Sequence, residues 1–97
     1  NGMCDTFLCH NGSSVFVELK TTKNNHILLQ RSQIAWNMSL FNSKGLSFFL
    51  VKHLLTSDLF LFEGSQAIEL SDNGLLTKAI LQTKDIKEII KSIFPGL

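Results

Sequence analysis

The spacing of apolar and polar positions changes period along the chain. "DTFLCH" and "SVFVELK" are both rich in β-formers, which predicts strands over residues 5–10 and 14–20. Asn11-Gly12 between them is a two-residue hairpin signal, because both positions tolerate positive φ. A polar loop, "TTKNNH", follows. The period then becomes helical: Ile34, Met38 and Phe41 share a face, which predicts a helix from a Ser32 cap to about residue 43, with Gly45 placed to end it. "LSFFLVK", residues 46–52, is a continuous apolar run suited to a strand buried on both sides. Strand, helix and buried strand in that order predict a right-handed βαβ crossover.

"LLTSD" turns the chain into "LFLFE", a fourth strand that Gly64 closes. Everything beyond it reads as helical. A short helix is expected over residues 65–70, then a break at Asp72-Asn73-Gly74. Ile86, Ile89, Ile90 and Ile93 form one stripe of a last helix, with lysines opposite and Pro95-Gly96 as its stop. The 97 residues suffice for one domain, 1–97, and show no repeat or linker. The expected class is α/β: a mixed sheet flanked by helices.

Composition narrows the function classes. A net charge of +1 gives no global attraction to nucleic acid or membrane, so any such binding needs a local patch. Lys20, Lys23, Arg31, Lys44 and Lys52 fall in the sheet-and-helix half and are the candidates for one. No apolar run approaches the ~18 residues of a membrane span, and no secretory leader pattern appears, which favours the cytoplasm. Cys4 and Cys9 are an odd number of residues apart, on opposite faces of a strand, which argues against a local disulfide or a shared metal.

The hairpin register carries the chemistry. With Asn11-Gly12 as the turn, His10 faces Ser13, Cys9 faces Ser14, Phe7 faces Phe16 and Asp5 faces Glu18. Lys20 shares the face of Glu18. Facing like charges destabilise a sheet by roughly 0.2–1 kcal/mol. A bound cation offsets that, and so does Lys20 acting as a counter-ion. Two converging carboxylates suit Mg²⁺, which is commonly held by one or two of them with waters and phosphate oxygens. A lysine beside such an ion can orient a water or neutralise a developing phosphate charge. The alternative for the same residues is a surface Glu–Lys pair and a turn-proximal Asp.

Asp5 followed by Glu18-Leu19-Lys20 on the next strand resembles the PD-(D/E)XK nucleases, most closely the VRR-NUC branch and small phage-type nucleases. Gly2, Gly12, Gln33 and Trp36 on the following helix, and Gly45 leading into "LSFFLV", extend the resemblance, which runs from Gly2 to about Leu70. It departs where Cys4 stands in place of the usual proline. The resemblance implies a restriction-endonuclease-like fold whose N-terminal helix, with a further acidic residue, lies upstream of this chain. It implies Asp5 and Glu18 as catalytic ligands of Mg²⁺ or Mn²⁺ with the Leu19 backbone carbonyl, and Lys20 as the catalytic lysine. Gln33 is expected near the metal site or the DNA backbone, and Lys23 and Arg31 as DNA-binding or supporting residues.

The expected function is therefore metal-dependent endonucleolytic hydrolysis of DNA, general or junction-resolving, in a cytoplasmic and conceivably phage-encoded protein acting in its host. The reading from a different class is a non-catalytic DNA-binding or protein-interaction module on the same fold. A homodimer is expected as well, because the apolar strands need covering on both faces and the helices look few and short for that task.

Overall fold

A computed structural model describes residues 6–10, 13–42 and 46–95, and of residues 6–10, 13, 41 and 42 it describes the backbone. Five strands form one sheet in sequence order: β1 (Thr6–His10), β2 (Ser13–Thr22), β3 (Ser47–His53), β4 (Leu59–Glu63) and β5 (Leu81–Thr83). β2 and β3 are parallel and the other neighbours are antiparallel, so the sheet is mixed. Helix α1 (Arg31–Asn42) links the parallel pair, as the expected crossover requires. Helices α2 (Ala67–Asn73) and α3 (Ile86–Ile93) follow β4 and β5. The hairpin register matches the turn reading where described: Phe7 pairs Phe16, Cys9 pairs Ser14 and His10 pairs Ser13. Asp5, Gly2, Cys4, the Asn11-Gly12 turn and Gly45 lie outside the described residues.

The two-residue period of the strands sorts side chains into two layers. Val15, Val17 and Leu61 pack on one face with Ile89 and Ile93 of α3. Phe49, Val51 and Phe62 pack on the other with Ala67 and Leu70 of α2, Ile34 of α1, and Ile27 and Leu29 of the loop before α1. Helices of one chain thus cover both faces, and Phe49, Val51, Leu61 and Phe62 are fully buried. Among the described residues, β2, β3 and β4 are covered on both faces, with loop residues 27 and 29 joining the core on the α1 side.

Several local expectations need correction. α1 starts at Arg31, so Ser32 lies inside its first turn and is not its cap. Gln30 precedes the helix, and Gln33 reaches back to accept from the Gln30 backbone N–H at 3.0 Å. That is half of a capping box, in which a Glu or Gln side chain at the third helical position satisfies the donor at the cap. The short helix expected over 65–70 is a 3-10 turn, Gly64–Gln66, running into α2. Here Gln66 plays the same part, accepting from the Glu63 backbone N–H at 2.8 Å. β5 interrupts the tail that reads as helical throughout. Its three residues are too few to show a period, and pairing with β4 decides its conformation. Of the four isoleucines of α3, Ile89 and Ile93 are buried while Ile86 and Ile90 stay exposed.

Gly74 ends α2 at the expected break and takes a φ of 56°, in the region L side chains rarely adopt. A Cβ there would also run into the Asn25 carbonyl oxygen. The close approach lets the Leu75 N–H donate to that oxygen at 2.9 Å, which ties the end of α2 to the loop before α1. Gly74→Ala is expected to lower the unfolding free energy by roughly 1–3 kcal/mol through strain and collision. Chemical denaturation of both proteins measures the difference, and equal midpoints at equal slope would show that the loop yields without cost.

Lys84 crosses to the β3–β4 turn, where its Nζ lies 3.1 Å from Asp58 Oδ1 and also donates to the Thr56 carbonyl. Hydrogen bonding from Lys84, then from Thr56, holds the Asp58 carboxyl below the usual aspartate value against a smaller opposing effect of burial. A carboxyl lowered by folding adds stability that is present above its unfolded pKa, ~3.9, and is lost as pH falls through the lower folded value. NMR titration is expected to show Asp58 below the ordinary range in the wild type and back within it in Lys84→Met. An Asp58 titration unmoved by that substitution would deny the pair this role.

Candidate metal and catalytic site

Glu18, Lys20 and Gln33 converge on the face of β2 that α1 covers. The alternation of β2 sends Val15 and Val17 to the α3 side and Phe16, Glu18, Lys20 and Thr22 to the α1 side. On that second face Glu18 is beside Phe49 of β3 and Lys20 beside Val51. The carboxylate of Glu18 is 0% exposed, among the deepest side chains in the molecule. Leaving a carboxylate in such a place is costly unless it is hydrogen-bonded or paired. Gln33 Nε2 donates to Glu18 Oε2 at 3.3 Å. Lys20 Nζ donates to Gln33 Oε1 at 3.0 Å, and that oxygen also takes the Gln30 N–H.

α1 presents an unusual face to the sheet. The sequence pattern points to Ile34, Met38 and Phe41, yet the deepest described positions are polar: Gln33 at 4% exposure and Asn37 at 0%. They stand one turn apart, and Asn37 Nδ2 donates to the Gln33 backbone carbonyl at 2.8 Å. Ile34 and Met38 are half-buried beside them. Trp36 is also half-buried; its ring meets Phe16 edge-on, with centroids 5.1 Å apart at 82°. Such an aromatic pair adds roughly 0.5–1.5 kcal/mol beyond its burial. It fixes α1 against β2 next to the Glu18–Gln33 bond.

Because β3 is parallel to β2, α1 must run back along the sheet. Its first turn therefore lies over the end of β2 that carries Lys20 and Thr22. Lys23, just after β2, and Arg31, the first residue of α1, are both exposed at this end. Lys52 is also exposed but belongs to the opposite face of β3, so it does not extend that cluster, and Lys44 lies outside the described residues. Leu19 points to the α3 side with its side chain about half exposed. Among the described residues no three His, Cys, Asp or Glu side chains come together as a ready metal cage. No described helix is long and apolar enough to cross a membrane.

Asn37 was not among the residues singled out by sequence. An Asn four residues after a Gln on a helix is the available signal, since that spacing puts both on one face. The whole chain matches no protein-family model and no curated protein sequence.

Proposed function

We propose that this chain is a Mg²⁺- or Mn²⁺-dependent deoxyribonuclease domain, with Glu18 as a metal ligand and Lys20 as the catalytic lysine. The observation that supports it is the buried carboxylate of Glu18, joined through Gln33 to the Lys20 ammonium on one sheet face. Glu18 offers the hard oxygen donor such a cation prefers. One or two carboxylates with waters are a sufficient protein share for Mg²⁺, so Glu18 and the proposed second ligand, Asp5, fit it. The Leu19 carbonyl is proposed as a third. A bound divalent cation supplies an activated water and a counter-charge for a phosphoryl oxygen.

The chain's own groups do the rest. Lys20 brings a positive charge to the same end of the sheet. There it stabilises the negative charge that grows on phosphate oxygens as the bond breaks. Lys23 and Arg31 hold the DNA backbone at the rim; such contacts fix position and carry no sequence information. Glu18 is held in place by the Gln33 amide, which donates to its Oε2. A second copy of the chain would give two matched sites for two strands, and we include a homodimer in the reading on that symmetry argument alone.

Two measurements separate binding from chemistry. Mn²⁺ titrated into the wild type and into Glu18→Gln is expected to show affinity at least ~10-fold weaker in the variant, about 1.4 kcal/mol. Equal affinity would take Glu18 out of the site. Lys20→Ala is expected to slow DNA cleavage ~100-fold or more while DNA affinity changes little, since many phosphate contacts share the binding. DNA binding without cleavage in the wild type, with or without added Mn²⁺, would favour the non-catalytic module instead.

A further inference from the structure

Glu18 and Lys20 bear opposite charges and lie two residues apart on one strand face, within reach of each other for a side chain as long as lysine. Yet Lys20 Nζ donates to Gln33 Oε1. Among the described residues the ammonium–carboxylate contact within 4.0 Å is Lys84 with Asp58, not Lys20 with Glu18. The Gln33 amide stands between the two charges, its donor end on Glu18 and its acceptor end on Lys20.

The orientation of that amide is set from outside the pair. The Gln30 backbone N–H can meet only an oxygen, so it holds Oε1 at the start of α1, where Lys20 also reaches. Nε2 is then left facing Glu18. Reversed, the amide would present hydrogens to both the ammonium and the Gln30 N–H. Asn37 holds the Gln33 backbone from one turn further along. Gln33 itself is 4% exposed, and its bond to Glu18 is buried with it.

We propose that Gln33 is a positioning residue that acts as a neutral spacer. It keeps Lys20 and Glu18 from closing into a direct ion pair, so that the ammonium does not compete with a divalent cation for the carboxylate. The spacing itself is a property of the apo chain. Its use rests on the metal-dependent reading above.

Gln33→Met keeps the length of the side chain and removes both polar ends. In the apo crystal structure of this variant, Lys20 Nζ is expected within ~4 Å of a Glu18 carboxylate oxygen. Mn²⁺ affinity is expected to fall ~10-fold. Adding Lys20→Met to Gln33→Met is expected to restore most of that affinity, because the competing ammonium is gone. Wild-type separation of the charges in Gln33→Met, or no recovery in the double variant, overturns the proposal, since a merely structural Gln33 would give one or the other. If Gln33→Met does not fold, NMR of the wild-type Lys20 ammonium decides. A hydrogen-bond coupling to the Gln33 side-chain carbonyl supports the spacer, and one to the Glu18 carboxylate overturns it. Should the wild type bind no Mn²⁺ at all, the metal reading falls, while the apo structures still test the spacer.

Discussion

A carboxylate without solvent contact, on a strand whose other face is a hydrophobic core, constrains everything built around it. Glu18 cannot be hydrated, so its neighbours must supply the hydrogen bonding that water would have given. Gln33, which α1 turns toward the sheet, meets part of that requirement, and Asn37 holds the Gln33 backbone from one turn further along. The helix is held down at its margins, by Trp36 against Phe16 and by Ile34 in the neighbouring cluster. The same choice separates the two sides of the sheet. The α3 side is apolar and closed, with Ile89 and Ile93 over Val15, Val17 and Leu61, while the α1 side contains the polar group.

A direct Lys20–Glu18 pair would be the simpler way to neutralise the buried charge. At ~4 Å two unit charges attract by about 4 kcal/mol in surroundings of effective dielectric ~20, before the loss of hydration is set against it. The observed amide bridge forgoes part of that attraction. It gives three hydrogen bonds to one side chain in exchange, two at the oxygen and one from the nitrogen. Replacing a buried ion pair by apolar residues often leaves stability unchanged or raises it, so stability alone does not call for charges here. The arrangement keeps two opposite charges near each other without joining them directly.

The architecture could be read from the sequence where periods are long and turns are chemical. The pairing of Phe7 with Phe16 and of Cys9 with Ser14 follows from reading Asn11-Gly12 in the sequence as a two-residue turn, and the run around Phe48-Phe49 announced a strand buried between neighbours. Gly74 announced the end of α2 because its φ excludes most other residues. What escaped were features decided by partners distant in sequence. β5 exists because β4 offers an edge at Leu59 and Leu61, which nothing in "LQT" reveals. Ser32 has the residue type of a cap, but a Gln at the third helical position serves the cap donor as well. For the site, spacing alone put Glu18 and Lys20 on one face. The depth of Glu18 and the central place of Gln33 could not be seen, because a charged residue in a strand and a Gln in a helix are both ordinarily exposed.

Gln33 Oε1 serves the first turn of α1 and the Lys20 ammonium at once, so the start of the helix and the charge geometry cannot vary independently. The loop that delivers Gln30 is itself anchored, with Ile27 and Leu29 in the core and the Asn25 carbonyl bonded to the N–H of Leu75 beyond α2. Those anchors set where the Gln30 N–H stands, and through it which way the Gln33 amide faces. Without the Gln30 N–H, Oε1 would lose the bond that fixes which way the amide faces. The packing of an apolar loop thus fixes the orientation of an uncharged amide, and the amide in turn sets the distance between the two charges of the site.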